Sequence, residues 1–99
     1  MILAQQIEQH NKPLQEAMKA KGFRMKKVGK TVCYYDKADV FQPFPAGYIT
    51  GPSDNYNTGK YMSVRDNNGC WKQQTMPLNR LSKLQQWALD TAKEVLTQA

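Results

Sequence analysis

Apolar positions recur at helical spacing near both ends of the chain and alternate with polar ones between them. Leu3, Ile7, Leu14 and Met18 fall on one face of a helix spanning 3–22, with His10 and Ala17 beside them. Pro13 interrupts that pattern. Either Asn11 caps a second helix with Pro13 in its first turn, or one helix continues through a kink. Gly22 supplies a C-terminal stop. Beyond it, Thr31-Val32-Cys33-Tyr34-Tyr35 is β-branched and aromatic, and Gly29-Lys30 can fold it back on Phe23 to Val28 as a first hairpin.

Residues 39–60 read mostly as loop. Pro43 and Pro45 oppose ladder pairing, Gly47-Tyr48-Ile49-Thr50 suggests a short strand, and Gly51-Pro52-Ser53-Asp54-Asn55 is turn material. The clearest local signal follows, where Tyr61 to Arg65 and Cys70 to Gln74 flank Asp66-Asn67-Asn68-Gly69. Asn-Gly suits a type I′ turn, and a two- or a four-residue loop divides the faces in the same way. On that reading Met62, Val64, Trp71 and Gln73 meet the core; Tyr61, Ser63, Arg65, Cys70, Lys72 and Gln74 face away. After Pro77 a helical stripe returns through Leu81, Leu84, Ala88, Thr91 or Ala92, and Val95, with Trp87 at its edge. Ser82 with Gln85 forms a capping-box signature, and Asn79 is a rival cap.

The expected fold is therefore α+β: a small antiparallel β-sheet of two hairpins packed against N-terminal and C-terminal helices, as a single domain over 1–99. The order of elements resembles that of double-stranded-RNA-binding domains, which also pack two helices on an antiparallel sheet. The likeness stops at element order. The Lys-rich start of their last helix is missing here, since Leu81-Ser82-Lys83-Leu84 carries one lysine.

Length and composition narrow the function. A chain of 99 residues holds one modest core and favours a binding surface over a deep substrate cavity. The start has no basic segment followed by an apolar stretch, and no run approaches a membrane span, so a cytoplasmic protein is expected. Cys33 and Cys70 then remain thiols, packed among apolar neighbours. With one histidine and no C-x-x-C, zinc ligation has no ligand set.

The formal net charge of +6 favours a polyanion, either DNA or RNA, or an acidic protein surface. Lys19, Lys21, Arg24, Lys26, Lys27 and Lys30 form a run without one acidic residue, as phosphate binding requires. Lys19 and Lys21 also complement a helix C-terminus whatever the function. Arg65 and Lys72 are expected side by side on the second hairpin, with Tyr61 on the same face, a combination suited to phosphates and bases. Tyr34, Tyr35, Phe41, Phe44 and Tyr48 cluster before the central loop, where they stack bases or anchor the core.

Catalysis finds no support in the residues. Thr58-Gly59-Lys60 invites a phosphate-loop reading, but Asp54 stands where a glycine is needed and Tyr61 where a hydroxyl must bind magnesium. His10 is isolated, and the carboxylates are scattered. The expectation is a non-enzymatic basic module without cofactor or metal, a monomer or weak dimer that does not engage a membrane. Its function would be that of a nucleic-acid-binding accessory protein using Arg24, Lys26, Lys27, Lys30, Arg65, Lys72 and Tyr61. The alternative is a phage or mobile-element protein that acts as an inhibitor or adaptor on a host nucleic-acid-processing or defence complex.

Overall fold

A computed structural model describes residues 2–28, 31–35, 37–38, 41–42 and 44–98; for residues 25, 27, 28, 31–34, 41 and 42 it describes the backbone alone. The first helix, α1, runs Leu3–Ala20 with Pro13 inside it, so the chain continues through the proline and Asn11 caps nothing. Its end is built by Gly22, at φ +95°. Phe23 N–H reaches back to Met18 C=O at 3.1 Å, and Gly22 N–H bonds Lys19 C=O at 3.0 Å. Those two bonds make a Schellman motif, and the accompanying apolar contact is Phe23 in the cluster of Met18.

The class is α+β, with antiparallel strands and two helices. The strands form two three-stranded sheets in place of one sheet of two hairpins. Strands β1 (Arg24–Val28), β2 (Thr31–Tyr35) and β3 (Phe41–Gln42) make the first. Strands β4 (Ile49–Asn55), β5 (Gly59–Arg65) and β6 (Trp71–Met76) make the second. A short 3-10 turn, Leu78–Arg80, leads into α2 (Leu81–Thr97). Neither Ser82 nor Asn79 caps α2; its N-cap is Arg80, without a side-chain hydrogen bond, because the 3-10 turn feeds directly into the helix.

Two further expectations are corrected. Residues 51–55 are strand and not turn. Gly51–Pro52 sits at a register shift between Thr50 and Ser53, so the ladder absorbs the proline as an irregularity and resumes at Ser53 opposite Tyr61. The second correction concerns the hairpin faces. The β5–β6 loop is neither two nor four residues long. Asp66 N–H bonds Cys70 C=O at 2.9 Å, leaving Asn67-Asn68-Gly69 as a three-residue loop with Gly69 at φ +86°. Asp66 Oδ1 accepts from the Asn68 and Cys70 N–H groups at 2.9 and 2.8 Å, which fixes that turn.

An odd loop shifts the register by one residue and reverses every β6 side chain. Arg65 therefore stands opposite Trp71, Val64 opposite Lys72, Ser63 opposite Gln73 and Met62 opposite Gln74. Trp71 lies on the outer face at 37% exposure and is not a core anchor.

The core lies between α2 and the second sheet. Leu84, Ala88, Leu89, Ala92 and Val95 are buried along α2, and Ile49, Met62 and Val64 meet it from the sheet. Alanines at 88 and 92 let the helix approach the strands closely. Leu3 and Ile7 of α1 and Trp87 pack at the margin. A smaller cluster of Met18, Phe44 and Tyr48, joined by Leu14 and Phe23, ties the end of α1 to the segment leading into β4. The hairpin tip also holds the end of α2: Asn67 Nδ2 donates to Val95 C=O at 2.8 Å and to Gln98 C=O at 3.0 Å. Val95 C=O also accepts the Gln98 N–H at 3.3 Å, so the Asn67 amide adds a second donor at the end of the helix.

Candidate functional site

Positive charge is concentrated in one stretch of chain. The six cations of residues 19–30 equal the whole formal excess of +6, because the other eight cations match the eight carboxylates. That stretch covers the last turn of α1, its glycine stop, and β1. Strand alternation separates its side chains. Phe23 turns into the apolar cluster, whereas Arg24 and Lys26 are exposed.

Arg24 stands opposite Tyr35 across the β1–β2 ladder, and Lys26 is the next residue on the same face. Lys26 Nζ lies 6.0 Å from the Tyr35 ring centroid, at the outer range of a cation–π contact. Two cations and a half-buried aromatic ring thus share one face of the first sheet. Lys19, Lys21 and Lys37 are also exposed. Lys27 is opposite Val32 in the ladder, so it belongs to the other face; its side chain and all of Lys30 lie outside the described residues.

The second expected group is not brought together. Arg65 and Lys72 occupy opposite faces of β5–β6, because Lys72 pairs with Val64 and Arg65 with Trp71. Tyr61 remains on the face of Arg65, half-buried and two register positions beyond Ser63. In place of Lys72, the partner of Arg65 is Trp71, whose ring centroid is 5.7 Å from the guanidinium carbon. Phe44 meets Trp71 edge-on at 5.6 Å and stacks on Tyr48 at 4.3 Å. The Trp71–Arg65 contact was hidden from the sequence by the loop length alone.

Other chemistry-bearing groups are engaged in structure. His10 Nε2 meets Gly47 C=O at 2.8 Å, and Gln15 Nε2 donates to the Tyr48 hydroxyl at 2.8 Å. A shallow cleft between the helices is lined by Gln6, Gln9, His10, Leu89 and Lys93. Among the described residues no three His, Cys, Asp or Glu side chains cluster as metal ligands. Cys70 is a free thiol and is exposed, which corrects its expected packing; the Cys33 side chain lies outside the described residues. The β4–β5 loop holds no phosphate cradle. Asn55 Oδ1 accepts from the Asn57 and Thr58 N–H groups at 3.0 and 3.3 Å, and Lys60 pairs with Asp54. No described helix is long and apolar enough to cross a membrane.

No family model, curated protein or solved structure matches the chain.

Proposed function

We propose that this chain is a non-catalytic nucleic-acid-binding module that grips the phosphate backbone with the β1–β2 face and the adjoining end of α1. The observation that carries the reading is the concentration of the charge excess in one stretch of chain, from which Arg24 and Lys26 are exposed on one face of the first sheet. Residues 19–30 hold six cations and no carboxylate, and Arg24 and Lys26 emerge beside Tyr35. Each phosphate neutralised there releases counterions, so affinity grows with every cation that reaches the backbone. Tyr35 offers a ring on which a base can stack next to a phosphate held by Lys26. Such contacts carry no base-edge readout and fit an accessory role without sequence preference. Arg65, with Tyr61 on its face, is a secondary contact; Lys72 belongs to a separate face.

Affinity purification from a cell lysate, with and without nuclease, tests the reading. The tagged protein is expected to retain nucleic acid at low salt and to lose it after nuclease treatment. Recovery of a stoichiometric, nuclease-resistant protein partner without nucleic acid would replace this reading with that of an inhibitor or adaptor.

A further inference from the structure

We propose that the outer edge of β6 is the seat of a two-fold dimer, in which Trp71–Met76 pairs antiparallel with the same strand of a second copy about an axis through Gln73. The backbone directions follow from β5. Arg65 N–H donates to Tyr48 C=O at 2.9 Å, so the polar backbone groups of Arg65 are turned toward β4. By the two-residue period, Ser63 and Tyr61 turn the same way. In an antiparallel ladder, a residue opposite one that turns away also turns away. Trp71, Gln73 and Thr75, which stand opposite these three, therefore direct N–H and C=O out of the sheet, and among the described residues no strand lies beyond β6 in it.

The other edge of the same sheet is closed. At Ile49 both outward backbone groups are bonded by the Asn11 amide, and at Gly51–Pro52 the register breaks and the proline offers no N–H. Edge strands left open in this way invite pairing unless charge or irregularity blunts them. β6 is regular along its length, and Lys72 is its one cation.

The occupant is a second copy because the strand is complementary to itself. A two-fold axis through Gln73 pairs all three outward-turned residues with one another, whereas one through Lys72 or Gln74 pairs only two of them. Trp71 then pairs with Thr75, Lys72 with Gln74, and Gln73 with itself. The strand's cation meets an amide, so no like charges stand opposite. From Trp71 to Thr75 the side chains are exposed on both faces, so the helix layer leaves room for a neighbouring strand. Trp71, backed by Phe44, would lie over the seam. The net charge of +6 on each copy opposes association, so salt should tighten the dimer. Nucleic-acid binding responds to salt in the opposite direction, which keeps the two proposals separable.

Sedimentation of the full chain from micromolar to near-millimolar concentration tests the proposal. The expected result is a monomer–dimer equilibrium with Kd of ~10–100 µM, since a single-strand seam is far smaller than a standard interface. Gln73→Lys, which brings two ammonium groups together at the axis, should weaken it at least ~10-fold, whereas Gln73→Ala should retain it. Backbone amide exchange gives a test that needs no variant. Trp71, Gln73 and Thr75 should gain protection as concentration rises, while Lys72 and Gln74, already bonded to β5, should not change. A monomer at every concentration, a dimer insensitive to Gln73→Lys, or uniform protection along β6 would each overturn the proposal.

Discussion

Asn11 and Ile49 are joined by two hydrogen bonds that run in opposite directions. Asn11 Nδ2 donates to Ile49 C=O at 2.6 Å, and Ile49 N–H donates to Asn11 Oδ1 at 3.0 Å. The side-chain amide thereby stands in for a neighbouring strand at the edge of β4. Asn11 is 8% exposed and Ile49 3%, so water cannot readily replace either bond. His10 and Gln15 hold the flanking Gly47 and Tyr48, and the three side chains together fix α1 against the start of β4.

Asn11→Leu should therefore destabilise the protein by about 2–4 kcal/mol, because it strands a buried donor and a buried acceptor on Ile49. Urea unfolding monitored by circular dichroism measures this. A loss below about 0.5 kcal/mol would mean that the pairing contributes little.

Gly47 is constrained in two separable ways. Its φ is +82°, and a Cβ there would stand 2.7 Å from Leu96 Cγ. Gly47→Ala is expected to cost about 2–4 kcal/mol, from left-handed strain plus the clash. Adding Leu96→Ala should remove the clash and leave the strain, so the double variant should be more stable than the sum of the two single effects predicts. Strict additivity in a double-mutant cycle would contradict the contact.

The reversed register of β6 makes a ranking of core residues testable. Leu84→Ala empties a fully buried site on α2 and should cost about 2–5 kcal/mol. Trp71 keeps 37% of its surface in water, so Trp71→Ala should cost less, about 1–2 kcal/mol. Equal or inverted losses in thermal unfolding would return Trp71 to the core.

The helices, the antiparallel strands and the basic run were legible because each rests on local periodicity. Leu84, Ala88 and Val95 mark a helix face whatever they pack against, and Gly22 ends a helix through its own backbone freedom. The faces of β6 were not legible, since one additional loop residue reverses them, and Asp66-Asn67-Asn68-Gly69 supports loops of several lengths. β4 was obscured by Gly51 and Pro52, which signal a turn but occupy an irregular ladder position. Asn11 reads as a candidate helix cap beside Pro13, and only the three-dimensional approach of β4 shows it bonding a strand edge. For the site, the acid-free run from Lys19 to Lys30 was legible in composition alone, whereas the pairing of Arg65 with Lys72 depended on the wrong loop.

The most direct test of the phosphate-gripping face is fluorescence anisotropy of labelled single- and double-stranded oligonucleotides across a salt series, comparing the natural chain with Arg24→Gln/Lys26→Gln. Binding by the natural chain should weaken steeply with salt. The variant should bind more weakly, with the log–log slope reduced by about two, roughly one for each lost phosphate contact. Its stability should change by no more than about 0.5 kcal/mol per substitution, because both positions are exposed. No binding by the natural chain at low salt, or equal affinity and slope in the variant, would contradict the assignment of this face to nucleic acid.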